Sequence, residues 1–288
     1  MNQLMKSHWS KRALWLLIGL LGLAGGLLLM WWRLAPAAPL VNPFELPEMA
    51  AAHYSWHDVV GDLGGMPATI PRHFADFVEY NGDPGWGEKR KGPRPERTNA
   101  SKLSSFGFYV RLPDMAGLSS NELRLHKQNQ KMRDTMWISV GFNTGKIYPG
   151  DGFLDRRTNA MGKPGNILKY EQYEQLLDQF HGLTVYAAGG IDPKTNKPYR
   201  EDTDAHDIFV HRNDAGKVDT YIRCSNRNVP APPCTQDFSM EPNVKARVYV
   251  SYRRGLLPEW QQIQASITQL ILSFKAADPA LAATPAKP

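Results

Sequence analysis

Residues 244–252, VKARVYVSY, and the following stretch 256–274, LLPEWQQIQASITQLILSF, carry the clearest structural signal in the chain. In the first, Val244, Ala246, Val248, Val250 and Tyr252 share one face, while Lys245, Arg247 and Ser251 point mostly the other way. That period of two predicts an antiparallel strand with one wet face. Past Gly255 the period changes: Trp260, Ile263, Ile267, Leu270, Ile271 and Phe274 recur at helical spacing, and Pro258 suits a first turn. A C-terminal amphipathic helix is expected there. Working outward, strand-like runs recur at 106–111, 136–142, 183–188, 208–212 and 221–225. A second helix is expected at 169–180, with Tyr170, Tyr173, Leu176, Leu177 and Phe180 on its apolar side. Strands outnumber helices without βαβ alternation, which predicts an α+β domain built on an antiparallel sheet.

The chain has 288 residues, 42% of them hydrophobic, with 24 Gly, 22 Pro and two Cys. This composition excludes a disordered chain, a collagen-like repeat and a disulfide-dense mini-domain. The formal charge is +6, from 34 Lys+Arg against 28 Asp+Glu. Residues 13–32, ALWLLIGLLGLAGGLLLMWW, are uncharged. At about 1.5 Å per residue such a helix spans roughly 30 Å, the thickness of a bilayer core, so a transmembrane helix is expected. Lys6, Lys11 and Arg12 precede it and Arg33 follows, which orients the N-terminus, 1–12, to the cytoplasm of a bacterial inner membrane and the bulk of the chain to the periplasm. A cleaved signal peptide is the rival reading, on the A-x-A of Ala35 and Ala37, but the apolar run is longer than an h-region. Gly22 and Gly26 have the GxxxG spacing of a helix-dimer face, which raises a homodimer.

Removing the four flanking cations leaves 30 basic and 28 acidic residues, a net of +2, so nucleic-acid binding is disfavoured. Residues 33–50 read as a Pro/Ala-rich stalk, 51–275 as a periplasmic domain and 276–288 as a disordered tail.

Cys224 and Cys234 bracket SNRNVPAPP, a turn-forming stretch, and an oxidising compartment would join them in a disulfide. His53 and His57 have i,i+4 spacing beside Asp58, but no H-E-x-x-H glutamate lies between them, and no metal or other cofactor is expected. Glu201, Asp202, Asp204, His206 and Asp207 form an acidic cluster that lacks the calcium-loop spacing. Its opposite is the basic loop 88–102, EKRKGPRPERTNASK. No nucleophile elbow or phosphate loop is present, so no catalytic residue is assigned and an enzyme is not the leading expectation.

SFGFYVRLPDM (105–115), IRCSN (222–226), PPCTQDF (232–238), VYVSYRRGLLPEW (248–260) and LILSF (270–274) occur in series. With the N-terminal apolar segment they resemble the membrane-tethered periplasmic immunity proteins that accompany lipase-type effectors of type VI secretion. The resemblance implies a protein partner, a secreted toxin blocked by direct binding. Contact residues are then sought among exposed aromatic and Arg side chains: Trp86 in PGWG; Arg90, Arg94 and Arg97 in the basic loop; Arg227, Asn228 and Val229 between the cysteines; and Arg253 and Arg254. Two other classes stay open. One is a periplasmic hydrolase using His53, His57 or His206, and the other is a scaffold of an envelope secretion complex.

Overall fold

The alternation read at 244–252 extends over most of the domain. The computed structural model describes residues 57–85, 87–161, 163 and 172–277, all within one compact unit, Trp56–Pro288. Fourteen strands are found there: β1 Val59–Asp62, β2 Pro67–Ile70, β3 Asp76–Tyr80, β4 Leu103–Arg111, β5 Ala116–Gly117, β6 Trp137–Thr144, β7 Tyr173–Phe180, β8 Leu183–Ala188, β9 Ile191–Asp192, β10 Lys197–Pro198, β11 His206–Arg212, β12 Val218–Ser225, β13 Pro233–Ser239 and β14 Ala246–Arg253. Three α-helices accompany them: α1 Asn121–Asn129, α2 Phe153–Asn159 and α3 Trp260–Ser273. Ten strands form one antiparallel sheet in the order β3-β4-β6-β14-β13-β12-β11-β8-β7, with β5 paired to β4. β1 with β2, and β9 with β10, make separate two-stranded pairs.

One face of the large sheet is dry because alternate residues of each central strand are apolar. Phe106, Phe108 and Val110 of β4, Ile138, Val140 and Phe142 of β6, and Val248 and Val250 of β14 are buried in one core with Trp260, Ile263, Ile267 and Ile271 of α3. Phe74, Phe108 and Phe274 stack edge-on or tilted at centroid distances of 5.5–6.4 Å. After α3 the chain pairs with the β1–β2 hairpin, with Thr69 N–H donating to Phe274 O and Ala276 N–H to Pro67 O. A buried polar network seats the helix: Tyr252 Oη donates to Gln236 Oε1 at 2.8 Å, and Gln236 Nε2 donates to Gln264 Oε1 at 2.8 Å. Thr220 Oγ1 donates to the same Gln264 oxygen at 2.9 Å. Such a network fixes the axial position of the helix, since any slip leaves buried polar groups without partners.

Cys224 and Cys234 are joined by a disulfide across β12 and β13, where they lie directly opposite each other with a Cα–Cα separation of 4.0 Å. Both are fully buried in the main core.

Two expectations are corrected. The expected α+β chain with an N-terminal transmembrane helix gives way, among the described residues, to a mostly antiparallel β structure with few helices. No described helix is long and apolar enough to cross a membrane. The longest, α3, has 14 residues and so extends only about 21 Å, short of a bilayer core. The segment 13–32 with Gly22 and Gly26, the stalk 33–50 and tail residues 278–288 lie outside the described residues.

The second correction concerns the helix expected at 169–180, where residues 173–180 form strand β7. His181 and Gly182, at φ 50° and 80°, make the two-residue turn that pairs Phe180 with Leu183. Two consecutive positive φ values match the twist of a hairpin, so this turn commits the preceding segment to a strand. Leu176 and Phe180 still reach the core, but Leu177 is fully exposed in an irregular stretch where the register shifts between Gln175 and Gln179.

Candidate functional site

Among the described residues, the second face of the sheet is only half covered. Over β11 and β12, Phe153 and Leu154 of α2 bury Ile208, Val210 and Tyr221. Toward β14, β6, β4 and β3 the same face opens into a groove of about 320 Å³. Three cross-strand rows build its floor. Ser139 and Tyr109 make the first, Tyr249, Gly141, Gly107 and Asp76 the second, and Asn143, Ser105 and Glu79 the third, with Ser251 and Arg247 of β14 continuing the first and third rows beyond the groove lining. The floor is low because its central positions are Gly and Ser. A Cβ at Gly141 would fall 2.0 Å from Tyr249 Cζ, so the phenol lies flat across that glycine.

The walls are placed by charge pairs and one helix. Asp237 is 1% exposed and held by Arg157 Nη1 at 2.5 Å and Arg247 Nε at 2.7 Å. Arg247 also rests over the Tyr249 ring at 5.4 Å, fixing that side of the groove. On the other side Ser120 caps α1, its hydroxyl accepting from Leu123 N–H at 3.2 Å. The helix delivers Lys127 Nζ to 3.7 Å from the Tyr109 ring centroid and His126 Nδ1 to 3.1 Å from the donating Trp137 indole. Burial raises the Asp76 carboxyl above its usual range, partly offset by Arg72, Arg124 and Lys127, and burial lowers the Lys127 ammonium.

At the groove's edge β3 carries a bulge. Asp76 pairs with Gly107 and Glu79 with Ser105, so one extra residue sits on β3. Phe77 absorbs it at φ 52° and is 87% exposed. A left-handed backbone costs a non-glycine residue about 1–2 kcal/mol, and the aromatic ring gains nothing from burial. Val78 packs inward against the core, and Phe77 lines the groove.

The residues singled out from sequence do not gather here. Arg90 and Arg97 both bond Asp83, at 2.6 and 2.5 Å, and Arg97 lies 4.1 Å over Tyr80. Arg94 is exposed, and Trp86 lies outside the described residues. Arg227 donates to Thr203 O at 3.3 Å, while Asn228 and Val229 are exposed. Arg253 donates to Thr135 O at 2.9 Å. Arg254 belongs to a different network, in which it joins Arg200 and Asn226 around the buried Asp207 carboxylate. The antiparallel order separates these groups. The basic loop leads into the start of β4, whereas 226–232 and Arg253–Arg254 lie at the opposite ends of β12, β13 and β14. Strands of about eight residues put those ends roughly 25 Å apart along the strand direction, and β4 and β13 are three strand spacings apart across it.

His53 lies outside the described residues, His57 precedes β1, and His206 begins β11. Burial lowers the His206 imidazole, with Arg223 acting in the same direction. Among the described residues no three His, Cys, Asp or Glu side chains converge as metal ligands. Sequence reasoning missed Phe77, Tyr109 and Tyr249. Tyr249 had a readable signal, as an aromatic on the wet face of the clearest strand; Phe77 had none, because a bulge breaks the alternation that would have placed it.

No family model and no curated protein matches the chain. Among solved structures, the chain is similar in fold to Smlt3025, an immunity protein of the Stenotrophomonas maltophilia type IV secretion system, with a TM-score of 0.51 and 18% sequence identity over 78% of this chain and 95% of that one.

Proposed function

We propose that this chain is an immunity protein that neutralises a secreted antibacterial toxin by binding it one to one. The observation that carries the reading is the fold shared with a secretion-system immunity protein across nearly that protein's whole length. The half-open sheet face, with an exposed aromatic beside a groove, is the kind of surface such binding requires. We place the domain in the bacterial periplasm, a compartment in which its cross-strand disulfide would persist. The sequence resemblance supports a finer form of the proposal, in which the toxin is a lipase-type effector of type VI secretion.

The test is co-expression of the full chain with the product of each reading frame adjacent to its gene, directed to the periplasm. Growth should be restored, and the purified proteins should form a 1:1 complex by size-exclusion chromatography with light scattering. Absence of a complex at micromolar concentrations would overturn the proposal. Lipid hydrolysis by that product, inhibited by this chain, would establish the finer form; a toxin of another chemistry would remove it.

A further inference from the structure

We infer that the groove between β3 and β14 receives a cationic side chain, Arg or Lys, carried on a loop of the protein partner, with Phe77 and Glu79 as its principal contacts. The inference rests on the binding-protein reading and specifies where and by what chemistry the partner is held.

Charge complementarity selects this occupant. Two carboxylates line the groove, Asp76 and Glu79, and the cations at its margin are already engaged, Arg247 with Asp237 and Lys127 over the Tyr109 ring. Asp76 is already answered within the chain by Arg72, Arg124 and Lys127. Glu79 is not: it is exposed, accepts the Ser105 hydroxyl at 2.8 Å and pairs with no cation among the described residues. Its neighbours in the groove are aromatic, with Phe77 at the edge and Tyr109 and Tyr249 on the floor. An unpaired carboxylate beside aromatic faces is the chemistry that holds a guanidinium or ammonium group. The chain itself contains an instance, since Lys127 Nζ lies 3.7 Å from the Tyr109 ring centroid.

The shape agrees with a side chain entering from a loop. The floor of Gly107, Gly141, Ser105 and Ser139 admits close approach, and about 320 Å³ is at the small end of the range for ligand pockets. Phe77 is set outward at positive φ by the β3 bulge, an aromatic anchor at the edge of the groove rather than part of the core.

The experiment uses the full chain and the product of whichever adjacent reading frame proves toxic in the co-expression test, in calorimetric titrations. Phe77→Gly should weaken binding about 30-fold or more while raising the melting temperature, because glycine accepts the positive φ without strain. Glu79→Lys should weaken binding at least tenfold, and Glu79→Gln should weaken it less and reduce its salt dependence. Wild-type binding with Phe77→Gly and Glu79→Lys both within twofold would overturn the inference and leave the immunity reading standing. Tighter binding by Glu79→Lys would also overturn it, pointing to an acidic partner surface. If the wild type does not bind at all, the immunity reading fails and the inference falls with it.

Discussion

Asp207 offers the most direct test of how the loops at the disulfide end are held. It lies in β11 opposite Cys224 and is 2% exposed. Arg200 reaches its two oxygens with Nε and Nη2, each at 3.0 Å; Arg254 Nη2 donates at 2.6 Å and Asn226 Nδ2 at 3.1 Å. One carboxylate therefore ties three segments: the turn after β10, the loop inside the disulfide and the approach to α3. Asp207→Ala leaves two guanidinium groups without their counter-ion. Breaking a fully buried pair costs about 3–5 kcal/mol. Here the Arg200 and Arg254 side chains are 46% and 31% exposed and can turn to water, which reduces the cost. We expect roughly 2–3 kcal/mol, or about 5–10 °C in melting temperature for a domain of this size.

The pH dependence has a definite sign. Burial alone would raise the Asp207 carboxyl, but the bonds from Arg200, Arg254 and Asn226 outweigh it and hold the group below its ordinary range. A depressed carboxylate stabilises the fold above its unfolded value, about 3.9, and loses that contribution as pH falls through the folded value. Asp207→Asn should therefore melt below the wild type at pH 7 and converge with it in strong acid. Thermal unfolding followed by far-ultraviolet circular dichroism reads both effects. A loss below about 0.5 kcal/mol for Asp207→Ala at pH 7 would refute the reasoning.

Two further outcomes follow from the same structure. The disulfide closes a loop of sequence separation 10, for which chain entropy gives about 3 kcal/mol, so the Cys224→Ala, Cys234→Ala double variant should melt well below the oxidised wild type. Thiol titration of unfolded, unreduced protein should find no free thiol; two would refute the bond. Asp76, raised mainly by burial, has the opposite sign to Asp207: its ionised form weakens the fold above its unfolded value. Asp76→Asn should raise stability at pH 7 by up to about 1 kcal/mol, since the group is only partly buried, and the gain should vanish below pH 3.8; equal melting at pH 7 would count against this account.

What could be read from sequence was what repeats over several residues. The alternation in 244–252 placed Val248 and Val250 on the dry face and Arg247 and Ser251 on the wet one, because the central strands bury one side under α3. The helical spacing of Trp260, Ile263, Ile267 and Ile271 was legible for the same reason. Segment 173–180 was misread because its apolar residues fit a helical period, while the deciding signal was the two-residue turn His181–Gly182 just beyond it. Phe77 was illegible for a related reason. A bulge adds one residue to β3, and nothing in the residue types announces it. Arg254 looked like a surface contact because its partner Asp207 is distant in sequence; only the register of β11 against β12 brings the network together.

The separation of the sequence-derived candidates also constrains any partner. An interface of about 800 Å² per side is a patch roughly 28 Å across. The basic loop and the disulfide-end loops lie about as far apart, roughly 25 Å along the strands and three strand spacings of about 4.8 Å across them. Arg94 and Arg227 can therefore contact one partner only if it also covers the sheet between them, on one face or the other. Over its central strands one face is sealed by α3, leaving the groove face, with Tyr249, Gly141 and Ser139 at its floor. A partner confined to either end would touch Arg94 or Arg227, but not both. Simultaneous loss of binding by Arg94→Glu and Arg227→Glu would thus place the contact across the groove even before any groove residue is changed.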